Sequence, residues 1–186
     1  MQVTPKKDSL FRWGDYLQTR KTLDKLMKSG IDSMVVYSLY YPGRASIGKD
    51  SCRTIDPVYS YFFWVSQGRY WFTKVIGQCE SDKSTANGKV LQFTLANYLA
   101  IKEEFFMGAI MGATYVNESK TKLRITESSV DHEVKYSILI LLNNQYKYIV
   151  FTQNALESEK SLFVDYNKKL TSFKLFKLIE SEIAEK

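Results

Sequence analysis

The amino-acid sequence predicts a single α+β domain covering residues 1–186, with a mainly antiparallel sheet of about six to seven strands. An N-terminal, a central and a C-terminal helix are expected to cover this sheet. Two pairs of β-branched and aromatic segments support the prediction, because a two-residue turn typical of a hairpin joins each pair. Strands and helices do not alternate through the chain, so a doubly wound parallel sheet is not expected.

The N-terminal part of the chain predicts a helix and then a strand. From Asp15 to Ser29, apolar side chains recur on one helical face, and Gly30 stands where a glycine commonly ends a helix. From Met34 to Tyr41 the chain is β-branched and aromatic, which predicts a strand that ends before Pro42. A polar loop is expected from there to Pro57.

Two hairpins are predicted in the remainder of the chain. Their segments are Val58–Ser66 with Arg69–Ile76, and Glu133–Leu142 with Gln145–Thr152. The turns lie at Gln67-Gly68 and Asn143-Asn144, and the first register places Trp64 directly opposite Trp71. Both faces of the first hairpin are apolar and aromatic. This composition fits either a buried central strand pair or an exposed recognition surface.

Outside these hairpins the apolar pattern is less regular. A short strand is predicted at Val90–Thr94 after an Asn87-Gly88 turn, followed by a helix from Leu95 to Gly112. A further strand is expected at Lys122–Glu127, and an amphipathic helix is expected from Lys168 to Ala184. Together with the hairpins, these elements complete one layer of strands and its covering helices.

The basic excess of the chain is concentrated near its N-terminus. Lysine and arginine outnumber aspartate and glutamate by 26 to 20, which gives a formal net charge of +6. Residues 1–30 contain seven cations and three anions and so carry +4, which leaves +2 for the other 156 residues. Lys21, Lys25 and Lys28 share one face of the predicted helix. That face is therefore expected to steer the protein toward an acidic partner.

Two cysteines and one histidine leave little scope for a metal centre or a disulfide framework. In the predicted register Cys79 lies opposite Asp56, four residues from Cys52, so two free thiols are expected. No cofactor is predicted. The first residues lack the apolar core of a signal peptide, which favours the cytoplasm, although an exported chain that had lost its signal would look the same. No apolar stretch reaches the ~20 residues of a transmembrane helix.

Three short motifs resemble catalytic or binding signatures but lack their context. Gly43–Asp50 approximates a phosphate-binding loop, yet it ends on aspartate instead of serine or threonine, and no helix follows. Glu118-Ser119-Lys120 and Glu133-Val134-Lys135 match part of a metal-dependent nuclease site, with Asp131 near the second. This composition produces about one such triplet by chance. His132 is expected to be a solvated loop residue rather than a general base.

The sequence favours a non-catalytic binding or interaction protein, such as an inhibitor or immunity-type partner of another macromolecule. No polar constellation suited to catalysis is recognisable, so an enzyme is not expected, but a metal-dependent nuclease-like enzyme stays open as an alternative. A nucleic-acid-binding module is the other alternative, although stacking aromatics flanked by basic residues are scarce. The expected partner is a protein of acidic character. The candidate partner-binding residues are Lys21, Lys25, Lys28, Trp64, Arg69 and Trp71.

Overall fold

The computed structural model describes residues 17–42, 52, 58–115, 123–127 and 133–185 of the chain. Its helices are α1 (Leu17–Lys28), α2 (Lys89–Glu103), α3 (Gln153–Glu157), α4 (Val164–Lys169) and α5 (Thr171–Ala184). Its strands are β1 (Ser33–Tyr40), β2 (Val58–Ser66), β3 (Arg69–Ile76), β4 (Cys79–Glu80), β5 (Ser84–Thr85), β6 (Ile110–Tyr115), β7 (Leu123–Glu127), β8 (Lys135–Leu142) and β9 (Gln145–Thr152).

The main sheet is antiparallel and has seven strands. Six of them follow the spatial order β4-β3-β2-β1-β8-β9, and β5 also pairs with β3. β6 and β7 form a separate two-stranded sheet. The predicted fold class is confirmed, because an antiparallel sheet is covered by an N-terminal, a central and a C-terminal helix.

Both predicted hairpins are confirmed, together with their turns. β2 and β3 pair so that Trp64 lies opposite Trp71, as the sequence predicts. The backbone of the first turn is left-handed at two consecutive residues, with φ of 52° at Gln67 and 71° at Gly68. The two asparagines of the second turn have φ of 49° and 63°. Two successive left-handed residues are typical of a type I′ turn, whose twist matches that of the flanking strands.

The two faces of the main sheet are covered by different helices. Because side chains alternate along each strand, β1 and β2 direct one set toward α1 and the other toward α2 and α5. Among the described residues, the α1 face buries nine apolar side chains in one cluster, and the α2/α5 face buries eighteen. Those of the α1 face are Leu23, Leu26, Met34, Val36, Phe62, Trp64, Val75, Leu139 and Leu141.

The region of α2 differs from the sequence prediction. The strand predicted at Val90–Thr94 is wrong, because these residues form the first turns of α2, and the helix ends at Glu103 instead of continuing to Gly112. The buried positions of α2 follow a helical pattern, and the Thr94 hydroxyl donates to the Val90 carbonyl oxygen over 2.7 Å. Before the helix, Gly88 has φ of 82°, and a β-carbon there would lie 2.5 Å from the Tyr70 ring. The β-branched residues of the first turns therefore misled the prediction, since tertiary packing outweighs their propensity.

The C-terminal helix begins later than predicted. Leu170 is extended, with φ of −63° and ψ of 146°, and separates α4 from α5. The carboxylate of Glu104 accepts hydrogen bonds of 2.8 Å from the backbone N–H groups of Thr171 and Ser172 at the start of α5. Burial alone raises the pKa of Glu104, but a hydrogen bond from the Ser172 hydroxyl and these two backbone hydrogen bonds lower it below its ordinary value of 4.5. A residue distant in sequence therefore satisfies the first N–H groups of α5.

Cys52 and Cys79 form a disulfide, so the prediction of two free thiols is wrong. Their Cα atoms are 5.4 Å apart, within the range usual for such bonds. The predicted register continued β3 past Ile76, whereas Gly77, with φ of 55°, turns the chain back and Cys79 pairs with Ile76 as β4. β4 consequently lies on the edge of β3 that faces away from β2, and Cys52 is bonded to it there.

Candidate functional site on helix α1

Helix α1 carries three of the six candidate residues, and its buried side packs on the sheet. Leu23 and Leu26 are each 4% exposed and belong to the cluster of the α1 face. Thr19 and Thr22 are buried on the same side. These four residues follow an i, i+3, i+4, i+7 spacing, so they form one inward face of the helix.

A chain of buried hydroxyl groups joins α1 to the centre of the sheet. The Thr19 hydroxyl is 2.9 Å from that of Ser60, which is in turn 2.8 Å from that of Ser38. All three side chains are buried, so each hydroxyl replaces its hydrogen bonds to water with bonds in this chain. The N-terminal half of α1 is thereby fixed over β1 and β2.

Glu80 of β4 holds the middle of α1. The Thr22 hydroxyl donates to Glu80 Oε2 over 2.8 Å, and Lys25 Nζ donates to Glu80 Oε1 over 3.3 Å. The lysine side chain is 60% exposed, so water screens this ion pair and it contributes little stability by itself. Because Glu80 directly follows Cys79, the disulfide and the anchor of α1 lie on the same short strand.

The outward face of α1 is basic. The helix contains four cations and one anion, a net charge of +3, and its three lysines are exposed. Lys21 and Lys28 form no ion pair with the described residues, whereas Lys25 shares Glu80. Seven positions, or about two helical turns, separate Lys21 from Lys28, so both lie on one face with their Cα atoms about 10 Å apart along the axis.

The structure places the two tryptophans on the face of the sheet that α1 covers. Trp64 is 2% exposed and belongs to the same cluster as Leu23, and Trp71 is partly buried against that cluster. Arg69 is exposed at the start of β3, beside the hairpin turn. The basic helix and the tryptophan pair therefore meet through packing of the helix on the hairpin. The three lysines and Arg69 are the candidate residues whose side chains face solvent.

Only part of the alternative nuclease site lies among the described residues. Glu133 accepts a hydrogen bond from the backbone N–H of Asn154 in the first turn of α3, which is a structural role at a helix start. Within the described ranges, no three histidine, cysteine, aspartate or glutamate side chains are grouped to hold a metal ion. The motif residues of the sequence analysis that lie outside the described residues are Asp131, His132, residues 43–50 and residues 118–120.

The sequence prediction missed the outward face of α2. Leu95 is 51% exposed and Leu99 is 79% exposed, on the side of the helix opposite the buried Val90 and Ile101. Both leucines lie within the helix predicted from Leu95 to Gly112, so their i, i+4 spacing is visible in the sequence. The strand predicted at Val90–Thr94 removed from that helix the residues that identify its buried face, so the opposite face was not recognised as exposed.

Comparison of the chain with protein-family models, with curated proteins and with solved structures gave no match. None of the described helices is long and apolar enough to cross a membrane. The surface chemistry of α1 and α2 is therefore the basis for a functional proposal.

Proposed function

We propose that this protein is a non-catalytic binding protein that docks an acidic surface of another protein on the outward face of α1, as an inhibitor or immunity-type partner does. The arrangement of Lys21 and Lys28 carries this proposal. Both lysines are exposed on a helix whose opposite side is fixed to the sheet by packing, by Thr19 and by Thr22. A fixed helix presents its charges in one geometry, which lowers the entropy lost when a partner binds.

Apolar side chains beside the lysines add contact area to the same surface. Leu17 is 60% exposed and Met27 is 42% exposed at the two ends of α1. Interfaces between proteins combine such apolar contacts with a charged rim, and the charges act mainly on the association rate. Lys25 contributes less than its neighbours because Glu80 already lies 3.3 Å from its ammonium group. Lys21 and Lys28 are therefore the side chains to change.

Two other classes of function can be distinguished from this proposal by the side chains that each would use. A metal-dependent nuclease-like enzyme would use Glu133 as a ligand, but this carboxylate accepts a backbone hydrogen bond at the start of α3. A nucleic-acid-binding module would use the same lysines of α1, since phosphates attract ammonium groups as carboxylates do. Experiment must therefore separate acidic protein surfaces from nucleic acids.

The test measures binding of the full chain to labelled poly-L-glutamate and to double-stranded DNA, at low and at physiological salt. The variant Lys21→Glu with Lys28→Glu reverses two charges on α1. The control Lys168→Glu with Lys169→Glu makes the same change of net charge on α4, where both lysines are exposed. We expect the α1 variant to lose binding to poly-L-glutamate and its salt dependence, and the control to retain most of both.

Two outcomes would contradict the proposal. Equal losses in the α1 variant and in the α4 control would mean that only net charge matters. Tighter binding to DNA than to poly-L-glutamate, lost in the α1 variant alone, would favour the nucleic-acid-binding module instead.

A further inference from the structure

Helix α2 exposes an apolar stripe that no described residue covers. Leu95 and Leu99 are 51% and 79% exposed, and Ala96 and Ala100 beside them are exposed as well. The four side chains lie on one side of α2, opposite the face that packs on the sheet. Single exposed leucines are common on protein surfaces, but a continuous stripe on one helix is typical of a surface that another element covers.

A groove runs beside this stripe. It has a volume of about 570 Å³ and lies between α2 and the turn of the β8–β9 hairpin. Tyr98, Leu142 and Asn143 are among its lining residues. The Tyr98 hydroxyl is buried and forms no hydrogen bond with the described residues. This groove therefore leaves room for one side of a second helix that packs on the stripe.

Opposite charges bound the stripe. Lys89 begins α2 and Glu103 ends it, and the side chains of both are exposed and form no ion pair with the described residues. In an antiparallel pair of α2 helices centred on Ala96, Leu95 of one copy packs between Leu95 and Leu99 of the other. That register places Ala96 beside Ala96 of the second copy, where small side chains permit close approach. It also places Lys89 beside Glu103 of the second copy, twice by symmetry.

We infer that the outward face of α2 is a homodimer interface in which the two α2 helices pack antiparallel. A parallel pair would place Lys89 beside Lys89 and Glu103 beside Glu103, so like charges would oppose it. One helix pair buries less than the ~800 Å² per partner of a standard interface, so dissociation in the micromolar range is expected.

This inference goes beyond the proposed function and concerns a different surface. α1 and α2 lie on opposite faces of the sheet, so α1 stays exposed in such a dimer. The dimer then presents two basic helices, which would strengthen binding to a partner with two acidic sites through effective concentration.

The first experiment is sedimentation equilibrium of the full chain from about 1 µM to about 500 µM. We expect the wild type to change from monomer to dimer over this range, and Leu99→Glu to stay monomeric. The matched control is Leu162→Glu, since Leu162 is 59% exposed and precedes α4. This control should dimerise like the wild type. Both leucines are exposed, so melting temperatures of both variants should stay near that of the wild type.

The second experiment tests the antiparallel register by charge exchange. Lys89→Glu and Glu103→Lys should each weaken self-association about tenfold, because each variant creates two like-charge pairs. An equimolar mixture of the two variants should restore dimers, since every new glutamate then faces a lysine of the other variant. These two residues lie at opposite ends of α2, so contacts within one chain cannot produce this rescue.

Three results would overturn the inference. A wild type that stays monomeric at every concentration removes the dimer. A dimer that Leu99→Glu leaves intact lies on another surface. Absence of weakening in the single variants, or of recovery in their mixture, excludes the antiparallel register, since a parallel pair has two like-charge pairs before and after either single substitution.

Discussion

The two faces of the main sheet bury their side chains in different ways. The α2/α5 face is closed by aromatic rings in a row across five strands, with neighbouring centroids 5.2 to 6.4 Å apart. The rings of this row belong to Phe72, Tyr61, Tyr37, Tyr136 and Phe151. The α1 face has half as many buried apolar residues and includes a chain of hydrogen-bonded hydroxyl groups.

This difference separates the part of the fold that supplies most of the stability from the part that fixes the orientation of α1. Apolar burial contributes free energy in proportion to area and is nearly independent of direction, so the α2/α5 face supplies most of the stability. Hydrogen bonds contribute less but depend on geometry. The contacts of Thr19 with Ser60 and of Thr22 with Glu80 thus hold α1, with its basic outward face, in one position.

Two large truncations on neighbouring positions of β2 test this division. Trp64→Ala on the α1 face and Phe63→Ala on the α2/α5 face should each lower the free energy of unfolding by about 3–5 kcal/mol, because both side chains are buried and leave cavities. Urea unfolding measures both losses. Trypsin can cleave α1 after Lys21 and Lys28 when the helix opens locally in the native protein. Only Trp64→Ala should speed this cleavage, because the indole belongs to the cluster on which α1 packs. Equal acceleration in Phe63→Ala would show that the two faces do not act separately.

Loss of the disulfide should affect the α1 face next most strongly. Replacing Cys52 and Cys79 with serine should lower the free energy of unfolding by about 3–4 kcal/mol, because the bond closes a loop with a sequence separation of 27. β4 also carries Glu80, so the variant should expose native α1 to trypsin while amide exchange in α2 stays slow. A reduced wild type should behave like the variant. An unchanged unfolding midpoint after reduction would contradict this prediction.

Sequence patterns predicted those parts of the fold that local chemistry determines. Both hairpins have turn residues that adopt a left-handed backbone. The positions of these turns were therefore sufficient to predict the strand registers, including Trp64 opposite Trp71. Three features required tertiary information: the path of β4 after Gly77, the contact of Glu80 with α1 and the position of α1 over Trp64. Because both faces of the hairpin are aromatic, periodicity could not tell which face α1 covers.

Removal of single hydroxyl groups should produce the smallest changes in the free energy of unfolding. These changes should nevertheless differ in sign between the two faces. The Tyr37 hydroxyl is buried without a hydrogen-bond partner among the described residues, and burial raises its pKa. Tyr37→Phe keeps the stacked ring and removes an unsatisfied group, so the free energy of unfolding should stay equal or rise by up to about 1 kcal/mol. Ser60→Ala should lower it by about 1–2 kcal/mol, because Thr19 and Ser38 both lose a buried partner. Urea unfolding of both variants measures this difference in sign. A clear loss in Tyr37→Phe would mean that its hydroxyl is hydrogen-bonded after all, and that directional bonds also position the α2/α5 face.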